Sequence, residues 1–321
     1  MSEEFLGDKM KIVFLGTPDF GRIILEELIK EHEVTLVVTQ PDKAQGRHHE
    51  IVMSEVKQCA LKHNIDVFQP VNIKKEYQYI IDNYDFDLIV SAAYGQIVPM
   101  ELIEYPKYKA INVHGSLLPK GRGGAPIQRA IMNGEKETGI TIMYMAKKMD
   151  AGDILLQEKM AILDEDTKET LFIKLANLGA KMINHCIFDL VNNNIKPIKQ
   201  NDEEVTYTYA LTKDDEHLDF SKNAYLVKAQ IRGLGEIGAS FTLDNINFKV
   251  YPNSVNNYLD NKSNHQIGEI INVTKDYFTI QCESSEICFK TLKPEGKNLM
   301  SFKDYYNGKG KDIFKVGKII R

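Results

Sequence analysis

The chain has 321 residues, 43% of them hydrophobic and 26% charged, with 40 Lys and Arg against 45 Asp and Glu. That length exceeds what one core fills efficiently and predicts two domains, and the composition excludes wholesale disorder. A formal charge of −5 argues against a polyanion-binding protein only while its distribution is ignored. Residues 290–321 hold nine Lys/Arg (290, 293, 297, 303, 309, 311, 315, 318, 321) against three acids (Glu295, Asp304, Asp312), a net of +6, so the remainder carries −11. A sign asymmetry of this size points to a basic face that suits a polyanion. No run approaches the roughly 18 apolar residues of a membrane-spanning helix, and residues 1–9 are acidic and polar where a signal peptide is basic and then apolar. A cytoplasmic protein with no membrane partner is expected. Cys59, Cys186, Cys282 and Cys288 have the spacing of neither a zinc cluster nor a disulfide framework, which predicts buried, reduced thiols.

In chain order, KIVFLG at 11–16 is a short apolar run that predicts a strand, followed by the turn Gly16-Thr17-Pro18 and a helical pattern over 20–29. A strand is expected over 34–39. The stretch 40–50 has Pro41, Gly46 and no periodicity, which marks a loop. Helical spacing over 54–63 leads to a short strand at 66–68, and 87–93 reads as a strand buried on both faces. Another strand, 110–114, is followed by a Gly/Pro loop and a helical pattern over 126–133, and 141–145 is a further strand. Strands alternating with helices at this spacing imply an α/β architecture: a Rossmann-like, doubly wound, mostly parallel sheet over 10–190. Residues 191–208, from Asn192-Asn193-Asn194 onward, are polar and aperiodic and suit an extended linker. Residues 209–321 have one helical segment, 223–231, and then short strands at 240–243, 248–251, 267–273, 277–282 and 287–292, the pattern of a small β-barrel of the OB-like kind.

Three constellations carry chemistry. Gly16-Thr-Pro-Asp-Phe-Gly21 stands where a dinucleotide-binding protein has its phosphate-cradling glycines. Pro18 occupies the second glycine's place, however, filling space and removing an N–H donor, so a structural strand-to-helix turn is the favoured reading. Asn112 and His114, two apart on an expected strand, project from one face at the sheet end where open α/β sheets bind ligands. An amide donor there can stabilise a developing oxyanion, and an imidazole can move protons near neutral pH. Asp150, in Met149-Asp-Ala-Gly-Asp153 after the strand at 141–145, is placed to orient the His114 ring as the acid of a catalytic triad does.

Eight separated segments resemble the methionyl-tRNA formyltransferase family, from residue 10 to about 314. They are IVFLGTPDFG at 12–21, VVTQPDK at 37–43, AAYGQIVP at 92–99, INVHGSLLP at 111–119, GGAPIQRAI at 123–131, TGITIMYM at 138–145, MDAGDIL at 149–155 and LKPEGKNLM at 292–300. Their order and spacing make the resemblance specific. It implies formyl transfer from 10-formyltetrahydrofolate, as co-substrate and without a metal, to the α-amino group of methionine on initiator tRNA. Carried over position by position, it implies a catalytic trio of Asn112, His114 and Asp150. It also implies a folate-contacting turn at Ser116, Leu117, Leu118 and Pro119, a pterin-side loop at Tyr94, Gly95 and Gln96, and tRNA contacts at Lys43, Arg47, Arg232, Lys293 and Lys297. Nothing in the sequence requires more than a monomer.

The chain departs from the family's pattern in three places. Gly46-Arg47-His48-His49-Glu50 carries less fixed positive charge, Gly121 replaces an aromatic, and Gly235-Glu-Ile-Gly238 replaces Asn-Pro-Trp-Pro in a chain with no Trp. Three alternatives stand beside the main reading: a sugar-amine formyltransferase using the same trio and donor, a dinucleotide-dependent oxidoreductase, and a non-catalytic RNA-binding module.

Overall fold

The computed structural model describes residues 9–45, 50–259 and 264–320. The chain enters a seven-stranded sheet through β1 (Lys11–Gly16), buried from its second residue onward. Helix α1 (Asp19–Glu31) turns Phe20, Ile24, Leu25 and Leu28 inward and returns the chain to β2 (Glu33–Val38). Part of the expected loop at 40–50 is a hairpin instead, with β3 (Lys43–Gln45) antiparallel to β4 (Glu50–Val52). The segment is too short to show a period, and its apolar residues Ile51 and Val52 are exposed, so no alternation marked it. Helix α2 (Glu55–Lys62) starts at Ser54, whose hydroxyl accepts from the Lys57 N–H, and then come β5 (Val67–Phe68) and the short helices α3 (Ile73–Glu76) and α4 (Gln78–Asn83). The run continues through β6 (Leu88–Ala92), α5 (Met100–Ile103), β7 (Ala110–His114), α6 (Pro126–Met132), β8 (Glu137–Tyr144), β9 (Ile154–Ala161) and α7 (Lys168–Val191). The expectations above contain no counterpart to β9 or α7.

The strands lie in the order β5-β2-β1-β6-β7-β8-β9. The pairs β2/β5, β1/β2, β1/β6 and β6/β7 are parallel, and β8 closes antiparallel on β7. Parallel strands covered on both faces read as continuous apolar runs, which is why β1 and β6 were visible in the sequence. The chain moves outward from β1 to β2 and β5, then returns to place β6 beside β1. Strand order therefore reverses between β1 and β6, the place where doubly wound sheets form a ligand crevice. A Cβ on Gly16 would come within 2.6 Å of the Phe14 ring, and one on Gly21 within 2.9 Å of the Ala92 carbonyl oxygen. Close packing of β1, α1 and β6 thus accounts for both glycines without a bound nucleotide.

The remaining elements are α8 (Ala224–Leu234), β10 (Ala239–Leu243), β11 (Ile246–Val250), β12 (Val255–Leu259), β13 (Ile270–Val273), β14 (Phe278–Gln281), β15 (Glu286–Phe289), β16 (Thr291–Pro294) and β17 (Met300–Ser301). They form two four-stranded antiparallel sheets, β10-β11-β16-β17 and β12-β15-β14-β13. One core fills them. The ring of Phe278 lies 4.6 Å from Phe314, 4.8 Å from Phe302 and 5.4 Å from Phe289, centroid to centroid, distances at which aromatic pairs add to plain burial. The fold is thus the expected Rossmann-like doubly wound sheet with a small antiparallel β domain after it.

By packing, the chain divides into two compact units. One comprises residues 1–124, 138–161 and 172–208, and the other 125–137, 162–171 and 209–321. Helix α6 belongs to the second unit, where Arg129 holds Asp215 through two contacts of 2.5 and 2.9 Å. The polar stretch after α7 is pinned within the first unit, with Ile198 and Ile154 exchanging main-chain hydrogen bonds of 2.8 Å. All four cysteines are free and buried, and burial pushes the thiols of Cys59 to about 11 and of Cys186 and Cys282 to about 12.

The two units should lose acid stability in different windows. Burial, reinforced by the Lys9 charge, lowers His32 from 6.5 to about 4. The unfolded chain therefore takes up that proton first, and the first unit loses stability as pH falls from about 6.5 to about 4. The Arg129 hydrogen bonds hold Asp215 ionised down to about 2 against 3.8, so its contribution to the second unit is complete above about pH 4 and is lost between about 4 and 2. Protection factors from hydrogen exchange between pH 7 and 3 should fall in α1 and β2 before α6 and α8. Simultaneous loss would contradict the assignment.

Candidate active site

β7 delivers Asn112 and His114 to the carboxyl end of the sheet, with Asn112 in register between Ser91 of β6 and Met143 of β8. Asn112 is half-buried and His114 is buried. His114 Nε2 lies 2.9 Å from the carbonyl oxygen of Gly121. A carbonyl only accepts, so Nε2 carries the proton in this arrangement. The other ring nitrogen, Nδ1, faces Asp150 Oδ1 at 3.7 Å, beyond a hydrogen bond and attracted to the carboxylate only when Nδ1 is protonated as well. Asp150 instead accepts from the Gly123 N–H through Oδ2 at 2.9 Å. The structure brings Asn112, His114 and Asp150 to one end of the sheet, and the loop carbonyl of Gly121 sets the ring's orientation more directly than Asp150 does.

Gly121 has φ +78°, and a Cβ there would lie 3.0 Å from Ser116 Cβ. The departure noted at this position is therefore matched to the loop's geometry. The loop is held from a distance in sequence. Gly121 N–H donates to Thr206 Oγ1 at 2.8 Å, Arg122 N–H to the Thr206 carbonyl at 2.9 Å, and Thr208 N–H to the Arg122 carbonyl at 2.7 Å. Arg122 is buried, its guanidinium held by Gln200 Oε1 at 2.8 and 3.0 Å, and the Gln200 amide donates to the carbonyls of Asp150 and Gly152, each at 2.8 Å.

The turn Ser116–Pro119 follows β7 directly, with a cis Leu118–Pro119 peptide. Thr141 Oγ1 donates to the Ser116 carbonyl at 2.7 Å and accepts from the Leu118 N–H at 3.1 Å. Gln157 Nε2 reaches the Leu118 carbonyl at 2.9 Å and Thr141 Oγ1 at 2.8 Å. Leu118 is buried, whereas Leu117 and Pro119 are half-buried. Sequence reasoning missed Thr141, Gln157, Gln200, Thr206 and Thr208, and the only signal was their polarity on strands and in the stretch read as a linker.

Two further site residues are buried. Tyr94 does not offer its ring, which lies in the apolar core. Burial first, then the Glu76 charge, holds its phenol well above the ordinary range. Its carbonyl is the part on the crevice side, accepting from Thr17 Oγ1 at 2.9 Å and Gln40 Nε2 at 3.2 Å. Gly95 adopts φ +91°, and Gln96 accepts from the Ile73 N–H at 2.9 Å and donates to the Pro70 carbonyl at 3.0 Å. With Gln40, Val71, Asn72, Lys74 and Ile97, Gln96 lines an open cleft of about 360 Å³. Arg232 is likewise no surface cation. It is buried, with Nη1 donating to the carbonyls of Leu163 at 3.0 Å and Asp166 at 2.7 Å. Lys43, Lys293 and Lys297 are exposed, and Arg47 lies outside the described residues.

Among the described residues no group of three His, Cys, Asp or Glu is placed to hold a metal ion, and no helix is long and apolar enough to cross a membrane. Residues 10–187 match the formyl transferase family and residues 210–310 the formyl transferase C-terminal domain, so the class is a formyl transferase carrying both domains. Within that class the chain belongs to the methionyl-tRNA formyltransferase family. It is 42% identical over 312 residues to the methionyl-tRNA formyltransferase of Streptococcus uberis, spanning 96% of this chain and 98% of that protein. Over 314 residues it is 40% identical to that of Pediococcus pentosaceus, spanning 96% and 97%. Among solved structures, the N-formyltransferase of Helicobacter canadensis in complex with folinic acid and dTDP-3-aminofucose has a similar fold. It has a TM-score of 0.63 at 20% identity and covers 87% of this chain and 98% of that one.

Replacing Gly121 with Ala should place a side chain at φ +78° against Ser116 and cost about 1–2 kcal/mol. It should also shift the carbonyl that holds His114. Denaturant unfolding together with turnover should show a modest stability loss with a disproportionate fall in kcat. An unchanged kcat would separate this loop from the chemistry.

Proposed function

We propose that the chain transfers the formyl group of 10-formyltetrahydrofolate to the α-amino group of methionine carried by initiator tRNA. The observation that carries this reading is the buried His114 ring, held between the Gly121 carbonyl and the Asp150 carboxylate, in a chain about 40% identical to methionyl-tRNA formyltransferases over nearly its full length. An α-amino group has a pKa of about 7.7–8.0, lowered further when its carboxyl is esterified, so much of it is already neutral at pH 7 and little base strength is needed. The harder task is stabilising the oxyanion that forms when the amine attacks the formyl carbon. In this proposal the Asn112 amide and a protonated His114 supply the donors. The formyl carbon–nitrogen bond of the donor then breaks, and the proton from the attacking amine and that on the leaving nitrogen are balanced through His114. Delivery of the Nε2 proton requires its bond to Gly121 to be exchanged for one to substrate, as catalytic hydrogen bonds commonly are on binding. Asp150 Oδ1, 3.7 Å from Nδ1, holds the other side of the ring during that exchange.

The folate is assigned to the Ser116–Pro119 turn and to the cleft at Gly95 and Gln96. That cleft lies off the carboxyl ends of β2 and β6, and its mixture of amide groups with Val71 and Ile97 suits a flat heteroaromatic ligand carrying several donors and acceptors. The acceptor RNA is assigned to residues 209–321 and the hairpin at 43–52. Exposed lysines at 290, 293, 297, 303, 309, 311 and 315 can neutralise phosphates. The same chemistry on a nucleotide-linked amino sugar is the second reading, and the basic C-terminal surface favours the tRNA.

Purified protein should formylate Met-tRNA from 10-formyltetrahydrofolate. His114→Ala should abolish transfer, and Asn112→Ala should lower kcat by about 10²- to 10³-fold. Transfer to a nucleotide sugar but not to Met-tRNA would reverse the ranking. Lys293→Ala and Lys297→Ala should raise the KM for Met-tRNA with kcat unchanged, each flattening the slope of log affinity against log salt by about one. Variants with unaltered salt slopes would remove these lysines from the RNA surface.

A further inference from the structure

Gln200 stands in the polar, aperiodic stretch after α7, yet it is buried and uses every hydrogen-bonding position of its amide. Both Nε2 protons go to main-chain carbonyls, Asp150 and Gly152, each at 2.8 Å. Both Oε1 lone pairs accept from Arg122, from Nε at 3.0 Å and from Nη2 at 2.8 Å. A planar amide saturated on four sides has no freedom to rotate, and exchanging its O and N would set two donors against Arg122 and an acceptor against two carbonyls. The two loops it joins are those that carry the site. Asp150 sits at φ +53°, a left-handed conformation that a non-glycine residue adopts only when its surroundings hold it. The bond from Gln200 to the Asp150 carbonyl fixes that peptide and therefore the direction in which the carboxylate leaves the backbone. On the other side, Arg122 lies between Gly121, whose carbonyl takes the His114 Nε2 proton, and Gly123, whose N–H donates to Asp150 Oδ2.

We infer that Gln200 is a positioning residue for formyl transfer, setting the separation of the Asp150 carboxylate and the His114 ring by clamping the 150–152 turn to the 121–123 loop. Its side chain bonds to the two loops and acts through Asp150 and the Gly121 carbonyl. The inference rests on the assignment of Asp150 and His114 above.

Two substitutions separate the parts of the clamp. Gln200→Met keeps the volume and removes all four hydrogen bonds. Gln200→Glu keeps an acceptor, now charged, for Arg122 and therefore preserves that buried guanidinium, but it loses both donors and turns a carboxylate toward the two loop carbonyls. Initial rates of Met-tRNA formylation by the full-length protein, with folding checked by circular dichroism and thermal unfolding, should show kcat reduced at least about 10-fold in both variants. The KM values for folate donor and Met-tRNA should stay within about two-fold. A general structural role would instead lower the melting temperature and leave kcat per folded enzyme unchanged, and that result overturns the inference. So does recovery of kcat in Gln200→Glu, because the loop donors would then be dispensable.

The coupling to Asp150 is read from a double mutant. Asp150→Asn should lower kcat, and adding Gln200→Met to it should cost less than about two-fold more, because the group being positioned is already lost. Full multiplication of the two losses would show that Gln200 acts elsewhere. An Asp150→Asn variant with normal kcat would remove the site assignment and this inference together. A slow Asp150→Asn beside a normal Gln200→Met would remove the inference alone.

Discussion

A carbonyl oxygen has two lone pairs and can only accept, and the site is organised around one such oxygen, that of Gly121. His114 Nε2 is the nearest donor at 2.9 Å, with Thr208 Oγ1 at 3.2 Å and Ser116 Oγ at 3.3 Å. The Ser116 hydroxyl has a single proton and a shorter partner, the Lys120 carbonyl at 2.8 Å, so His114 holds the principal bond. Strand β7 fixes where the imidazole begins, and Gly121 fixes where it ends. The tautomer follows from these two positions, since the acceptor demands a proton on Nε2 and leaves Nδ1 toward Asp150.

That arrangement requires the loop to be rigid, and loops are not rigid without partners. The partners include the buried Gln200 and Thr208, where an unpaired donor or acceptor costs about 1–3 kcal/mol, and the exposed Thr206. The low dielectric that imposes this cost also strengthens each completed bond. Thr206 and Thr208 pair the loop as a short parallel bridge through Tyr207 and Arg122, and Gln200 accepts two N–H groups of the Arg122 guanidinium, which also faces Asp202 at 3.5 Å. The network is useful only when complete. This explains why so much side-chain hydrogen bonding gathers around two loops while β1 and β6 meet their requirements mainly by pairing with neighbouring strands.

The same distinction governs what could be read from residues in order. Buried parallel strands advertise themselves as apolar runs, and a two-residue spacing on a strand is enough to put Asn112 and His114 on one face. Gln200 announces nothing, because a polar residue in an aperiodic stretch looks the same whether it faces water or saturates a buried network, and the exposed Thr206 and Gln157 give no more sign of the loop bonds they make. The meaning of each lies in partners some 16 to 85 residues away. The burial of Tyr94 and Arg232 was illegible for the opposite reason. An aromatic beside a glycine loop resembles a ligand platform and a helix arginine resembles a phosphate contact, but the core of the first unit covers one, and residues 163–166 cap the other. Helix α8 has an apolar periodicity that cannot reveal that residues from before α7 also pack on it.

Arginine and lysine divide their work in the second unit along physical lines. Arg129 and Arg232 are consumed internally, the first on Asp215 and the second on two main-chain carbonyls. A planar guanidinium with several fixed donors is suited to such buried, directional ties. The eight described basic residues of 290–320 are all lysines, seven of them exposed, with Lys318 paired to Asp244. An ammonium is a hydrated point charge that neutralises phosphate without reading a base edge. A surface built this way supplies affinity and salt dependence but little sequence information. Any discrimination among polyanions must therefore come from groups with directional hydrogen bonds or stacking faces.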